Sequence, residues 1–195
     1  FLLAADTHTK TSIFYRSLFL ISQKDSKLYL ICTGNKFSQG EEDKLSKLHI
    51  KKTLQINASD KELSELYTRA SLFVFPSLYE GFGIPILEAY ACHCPIAISN
   101  TSCFPEIAGD AAIYFDPYSV KDIANTIEAI IYNPQKANEL IQKGIKRLEL
   151  YSWEKNRCRN RKRHTKKAIQ GYKLFKTYKQ TKTVEVFKGT AYTSG

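Results

Sequence analysis

The sequence predicts an α/β fold, a doubly wound, mostly parallel sheet of Rossmann-like type over residues 1 to about 150. Three observations predict it. Runs rich in β-forming residues alternate with helix-cap signals, the order expected of successive βα units. The run "LFVF" (Leu72 to Phe75) is apolar at every position, as a strand is when helices cover both faces of its sheet. There is no internal repeat, and no apolar run approaches the roughly 20 residues of a membrane span, so neither a solenoid nor a transmembrane helix is expected.

Taken in chain order, the N-terminal "FLLAAD" has neither a basic leader nor a cleavage pattern, and no signal peptide is expected. "LYLICTG" (Leu28 to Gly34) is β-rich and stops at a glycine, and "TLQIN" (Thr53 to Asn57) is a short second strand. Ser59 and Glu62 have capping-box spacing. Leu63, Leu66, Tyr67 and Ala70 follow at helical period, so a helix with one inward face leads into "LFVF". "PIAIS" (Pro95 to Ser99) and "AAIYF" (Ala111 to Phe115) are two further strands. Ser119 with Asp122 caps a helix carrying Ile123, Ile127, Ile130 and Ile131, and a last helix runs from about Pro134 to Leu150.

A chain of 195 residues with 43% hydrophobic content is long enough for one well-buried domain. Its net charge of +10 suggests a nucleic-acid or membrane partner until the charge is located along the chain. Residues 1–155 hold 17 Lys+Arg against 18 Asp+Glu, a net of −1, while residues 156–195 hold 12 against one, a net of +11. The basicity belongs to the tail. A domain over 1–155 is therefore expected, followed by a basic, poorly ordered tail over 156–195 with too many like charges to bury. The five cysteines, Cys32, Cys92, Cys94, Cys103 and Cys158, are an odd, scattered set that fits reduced thiols in the cytoplasm better than a disulfide framework. Cys92-His93-Cys94 matches no common zinc spacing and reads as a helix end, so no metal site is assigned.

With "LFVF" on a strand and Pro85 in the first turn of a helix, "PSLYEGFGI" (Pro76 to Ile84) becomes the strand-to-helix loop at the carboxyl edge of the sheet, where such sheets bind ligands. Gly81 and Gly83 remove side chains where a ligand meets the backbone. The amides around Gly83 and Ile84 then face a helix N-terminus suited to a phosphate. Glu80 lies in the loop and Glu88 about one turn into the helix, so the two carboxylates can approach different parts of one ligand, Glu88 by accepting hydrogen bonds from ribose hydroxyls. The same residues also fit a plain tight turn, with Glu80 a solvated loop acid and Glu88 an exposed helix residue.

The stretch "PSLYEGFGIPILEAYACHCPI" (Pro76 to Ile96) resembles the nucleotide-sugar half of retaining glycosyltransferases of family 4 (group 1), which carry Glu, seven residues, Glu. The likeness extends through "SDKELSELYTRASLFVFPS", "SNTSCFPEIAGDAAIYFDP" and "YSWEK", over roughly residues 26 to 155. It is also similar to the mannosyltransferase branch that builds bacterial surface polysaccharides. The resemblance implies the C-terminal half of a GT-B architecture, in which two Rossmann-like domains enclose the active-site cleft. It implies that Glu80 lies by the transferred sugar as the catalytic candidate. The backbone of Gly81, Phe82, Gly83 and Ile84 meets the sugar and diphosphate, and Glu88 holds the ribose. The donor is then a nucleotide-sugar, with no cofactor and no metal ion, and the acceptor is a glycan or a lipid-linked glycan bound by an N-terminal domain preceding Phe1. His93 departs from the pattern, which usually has glycine there, and should affect the helix end rather than the site.

A larger departure is N-terminal. The family has a strand followed by Gly-x-Arg-x-x-Tyr-Lys-Asn-Phe, whose Arg and Lys neutralise the leaving diphosphate. An ungapped alignment puts Asp6 at the Gly, His8 at the Arg, Thr11 at the Tyr, Ser12 at the Lys and Ile13 at the Asn. One explanation is a local reading-frame error: codons permitted for "LAADTHTKTS" (Leu3 to Ser12), read one base earlier, can spell Gly-Ser-Arg-Tyr-x-Tyr-Lys-Asn-Phe. "KNRCRNRK" (Lys155 to Lys162) allows a similar shift. The encoding DNA tests both.

The leading expectation is a donor-domain fragment of a sugar transferase, impaired alone, which transfers mannose or glucose with retention. The alternatives are a catalytically inactive nucleotide-binding protein and a nucleic-acid-binding protein that uses "NRCRNRKRHTKK" with Tyr172, Phe175 and Tyr178. A solvated or misframed tail is preferred to a nucleic-acid module. Peripheral contact of the tail with anionic lipid at the inner membrane face ranks lower, because the tail lacks a clear amphipathic helix.

Overall fold

The computed structural model describes residues 1–5, 12–34, 36–48 and 53–151. Six strands and seven α-helices alternate along them: β1 (Leu2–Ala5), α1 (Ser12–Lys24), β2 (Leu30–Thr33), α2 (Gln39–Lys47), β3 (Thr53–Ile56), α3 (Asp60–Arg69), β4 (Leu72–Phe75), α4 (Ile84–Ala91), β5 (Ile96–Ser99), α5 (Phe104–Ala108), β6 (Ile113–Phe115), α6 (Val120–Ile131) and α7 (Pro134–Leu148). Short 3₁₀ turns follow α5 and α7, at Gly109–Ala111 and Glu149–Tyr151. The expected strands at Ala111 and Pro95 start one or two residues later, because Ala111 closes the 3₁₀ turn and Pro95 has no N–H for the ladder. The last helix ends at Leu148 and tightens into the 3₁₀ turn. The domain boundary at 155/156, the basic tail, the "KNRCRNRK" shift and the loop 6–11 lie outside the described residues.

The strand order is β3-β2-β1-β4-β5-β6, and every pairing is parallel. Two βαβαβ halves meet where β1 lies beside β4, with Leu3 opposite Phe73. Chain connections leave these two neighbours in opposite directions across the sheet. A crevice opens at their carboxyl ends, the topological switch point of a doubly wound sheet.

Alternation along the strands divides the core. Leu2, Leu30, Leu72, Val74, Ala97 and Phe115 pack with Phe14, Leu18 and Ile21 of α1 and with Ile123, Ile127 and Ile130 of α6. Leu3, Phe73, Phe75, Ile96 and Ile98 pack on the other face with Tyr67 of α3, with Ile86, Ala89 and Tyr90 of α4, and with Phe104 and Ile107 of α5. Both faces of β4 and β5 are buried at every position, which is why neither strand alternates in hydrophobicity. On the second face one aromatic row runs under the carboxyl edge. Tyr67 meets Phe73 edge-on at 5.1 Å, Phe73 stacks on Phe75 at 5.5 Å, and Phe75 meets Phe104 at 5.2 Å.

Helix α7 closes the domain against α4 and α6. Its Gly144 is a packing requirement, because a Cβ there would drive into the ring of buried Tyr90. Among the described residues no helix is long and apolar enough to cross a membrane.

Candidate active site

The site is built where β4 stops. Pro76 and Ser77 are still buried, Tyr79 is 82% exposed, and the chain then turns through Glu80–Gly83 into α4. Gly83 is the N-cap of α4 with φ 72° and ψ 45°, in the left-handed region. A Cβ on Gly83 would press on Ile86 Cδ1 at 3.1 Å and on the Phe104 ring at 3.4 Å. Gly83 is therefore glycine for conformation and inward packing. Gly81 differs: it is exposed, and a Cβ there would meet nothing within 4 Å.

Helix α4 begins with no side-chain cap, with Pro85 in its first turn and with no acid there. The Ile86 amide reaches back to the Gly83 carbonyl at 3.0 Å. The amides ahead of it have no intrahelical acceptor, as at any helix start, and Pro85 has no amide at all. The result is a small cluster of backbone donors, reinforced by the helix dipole and aimed at the crevice.

Glu80 is partly buried and held from two sides. The Ser77 hydroxyl donates to Glu80 Oε1 at 3.0 Å. The neighbouring β5–α5 loop holds the backbone: the Ser102 hydroxyl accepts from the Glu80 amide at 3.2 Å and bonds the Glu80 carbonyl at 3.0 Å, and the Cys103 thiol donates to the same carbonyl at 3.4 Å. Thr101 Oγ1 donates to the Ser77 carbonyl at 3.4 Å, and buried Ser99 donates to the carbonyls of Phe75 and Ser77. Ser102 takes φ 57°, a strained value for a residue with a Cβ, in making these contacts. The sequence reading missed this latch. Its only sequence signal is the run of hydroxyl side chains in "SNTSC" just after a strand, which becomes meaningful once β4 and β5 are known to be neighbours.

Glu88 lies in the second turn of α4, partly buried rather than freely exposed. The Tyr67 hydroxyl of α3 donates to Glu88 Oε2 at 3.4 Å. Burial pushes the Glu88 carboxyl above its ordinary range, the Tyr67 hydrogen bond pulls it back, and the charge of Asp60 adds a smaller push upward. Phe82, the tip of the loop, is 39% exposed and meets Tyr151 edge-on at 6.2 Å. The Tyr151 hydroxyl donates to the carbonyls of Ile107 and Glu106 at 3.2 and 3.3 Å, and Arg147 Nε donates to Ile107 at 2.9 Å. The end of α7 is thereby tied to α5 and supports the loop tip.

The Cys92-His93-Cys94 stretch forms the end of α4. His93 takes φ 57°, its amide donates to the Tyr90 carbonyl at 3.1 Å, and the Cys94 amide donates to the Ala89 carbonyl at 2.9 Å. This is a Schellman closure with histidine at the left-handed position. Ser12, aligned with the family's lysine, is the exposed first residue of α1, at the carboxyl end of β1 and so at the same crevice. His8 lies outside the described residues. Among the described residues no group of three His, Cys, Asp or Glu side chains is placed to hold a metal.

A parallel sheet with the 3-2-1-4-5-6 order and an uncapped helix at its switch point defines a doubly wound α/β domain of Rossmann-like type. Residues 11–147 match the family model of the glycosyl transferases group 1, and the chain belongs to that family. It is 37% identical over 115 residues to the O-antigen chain mannosyltransferase B of Escherichia coli, covering 59% of this chain and 28% of that one. It is 33% identical over 100 residues to the MMP alpha-(1->4)-mannosyltransferase of Mycolicibacterium hassiacum, covering 49% of this chain and 24% of that one. The chain thus spans about a quarter of the length of these relatives. Its fold superposes with a TM-score of 0.66 on the C-terminal domain of a group 1 glycosyl transferase from Francisella tularensis, at 22% identity, covering 76% of this chain and 83% of that one. The expected fold class, an α/β Rossmann-like domain of the GT-B glycosyltransferases, is the one observed.

Proposed function

We propose that this chain is the donor-binding part of a retaining hexosyltransferase that uses a nucleotide-sugar, with mannose or glucose as the transferred sugar. The observation that carries the reading is the start of α4: an uncapped, acid-free helix N-terminus at the switch point, with Glu80 fixed just before it and Glu88 just after. In this reading Glu80 lies at the sugar, the backbone from Gly81 to Ile84 meets the sugar and diphosphate, and Glu88 accepts from the ribose. The similarity to an O-antigen chain mannosyltransferase and to a serotype-specific mannosyltransferase favours mannose and a surface-glycan acceptor. Because the chain matches only 28% of one such relative, we assign acceptor binding to a further domain. A cytoplasmic site, at the inner membrane face where the acceptor is lipid-linked, belongs to the same proposal.

Calorimetric titration of the full chain with a nucleoside diphosphate tests it. Glu88→Ala should weaken binding by about 1.5 to 3 kcal/mol, the loss of a charge-assisted hydrogen bond. Glu80→Gln should leave nucleotide affinity nearly unchanged and slow transfer once the acceptor domain is supplied. Ser12→Lys, which returns a cation to the crevice, should tighten binding. Equal losses of nucleotide affinity from both glutamates would remove this division of labour, and no loss from either would return the loop to the reading of a plain tight turn.

A further inference from the structure

Tyr67 sits in the last full turn of α3, 2% exposed, with its ring edge-on against Phe73 of β4. A buried phenol needs a partner, and this one has Glu88 Oε2. The position of the ring is set by the core, so the hydroxyl is a fixed point against which the partly buried glutamate can be aligned. At 3.4 Å the bond is longer than the about 2.5 to 2.7 Å of a closed hydroxyl–carboxylate contact, which leaves the carboxylate room to turn.

We propose that Tyr67 is a positioning residue for the nucleotide: its hydroxyl holds Oε2 of Glu88 so that Oε1 is presented to the ribose hydroxyls. The proposal rests on the assignment of Glu88 to the ribose. The titratable groups around Glu88 are Tyr67 and Asp60 from α3 and Cys92 from its own helix, with Cys94 facing Tyr67 from beyond the helix end. None is a cation. Burial keeps the Tyr67 phenol and the Cys92 thiol well protonated, and Asp60 opposes the ionisation of Glu88. Tyr67 is therefore the group that favours the charged, ribose-accepting form.

Protonation of Glu88 removes an acceptor, so nucleotide affinity falls as pH falls through its raised pKa. Removing the Tyr67 hydroxyl raises that pKa further and moves the fall in affinity to higher pH. Fold stability responds in the opposite sense, because a buried carboxyl is favoured when neutral: acidification through the same pKa relieves the burial of charge.

The experiment compares the full chain with Tyr67→Phe, which keeps the ring and its packing on Phe73. Uridine and guanosine diphosphates are titrated calorimetrically from about pH 5 to about pH 8, and the Glu88 carboxyl is followed over the same range by carbon NMR without nucleotide. Expected for Tyr67→Phe are affinity about three- to tenfold lower at neutral pH, an acid limb displaced upward, and a carboxyl midpoint displaced the same way. Asp60→Asn, at an exposed position, should move the midpoint downward. An unmoved carboxyl midpoint in Tyr67→Phe, with Glu88→Gln still weakening nucleotide binding, overturns the positioning role alone. A displaced midpoint with unchanged affinity at every pH overturns the ribose assignment of Glu88, and the proposal with it.

Discussion

Helices α3 and α4 lie side by side on one face of the sheet and begin in opposite ways. At the start of α3, Ser59 and Glu62 satisfy one another: the Glu62 carboxylate accepts from the Ser59 amide at 2.8 Å and from its hydroxyl at 2.6 Å, and the Ser59 hydroxyl accepts from the Glu62 amide at 3.4 Å. The start of α4 has a left-handed glycine, a proline, no capping side chain and no acid. One N-terminus is closed by its own residues. The other leaves its first amides without a side-chain acceptor. In the proposed reading, the difference separates a structural helix start from an anion-binding one: the anion-binding start lacks the residues that would compete with its ligand. Helices α6 and α7 side with α3, capped by the hydroxyl of Ser119 and the amide oxygen of Asn133.

The comparison breaks most completely if the glycine of α4 is lost. Gly83→Ala combines a left-handed backbone with contacts at 3.1 and 3.4 Å to Ile86 and Phe104, and should lower stability by about 2 to 3 kcal/mol, read by urea denaturation. Nucleotide binding should fall with it. Pro85→Glu makes α4 resemble α3 by placing an acid in its first turn. It should reduce nucleoside diphosphate affinity by about 1 kcal/mol while leaving the thermal midpoint the same or higher, since the acid suits the helix dipole and repels the anion. Calorimetry and thermal melts on the same sample separate the two effects.

Ser59→Ala should cost about 1 kcal/mol of stability with no change in nucleotide affinity, because the closed start holds no ligand. The hydrogen bonds from Ser59 hold the Glu62 carboxyl below its ordinary range. Its contribution is thus present above the ordinary glutamate pKa and lost as pH falls through the lowered one. Ser59→Ala should flatten that part of the pH–stability profile. The smallest effect lies at the other end of α4, where His93→Gly should stabilise by about 0.5 to 1 kcal/mol by relieving a left-handed histidine, measured by the shift in denaturation midpoint.

What the sequence displayed was whatever is local. Strand β4 was legible as an uninterrupted apolar run and β5 as a short strand in "PIAIS", α3 and α6 as caps followed by helical period, and Glu80, Gly81, Gly83 and Glu88 as one compact spacing. Strand β1, four residues long, gave too little pattern to read. Helix α2 buries only Leu45, so it shows almost no apolar face. Helix α1 is rich in Ile, Phe and Tyr, whose preference for strands masks the period of its buried Phe14, Leu18 and Ile21. The latch from Ser99–Cys103 onto Ser77–Glu80 was invisible because its partners are 22 to 24 residues apart and meet only through strand order. Tyr67 was read correctly as an inward residue of α3, but its bond to Glu88 depends on how α3 and α4 pack.

The strand order also governs the sequence of events as the chain is made. Central strand β1 is flanked by β2 and β4, so one of its edges stays open until residues 72–75 have been synthesised. Leu2 and Leu3, fully covered in the finished domain, then belong to a half-sheet of β1, β2 and β3 with an apolar, unpaired border. Such a border invites pairing with other chains, and distant parallel pairing forms slowly. Nascent chains stopped before Leu72 should be aggregation-prone and protease-sensitive, and chains extended past α4 should resist protease. Nascent chains equally resistant on both sides of β4 would contradict this order. The strand that builds the candidate active site is also the one that lets the first half of the domain settle.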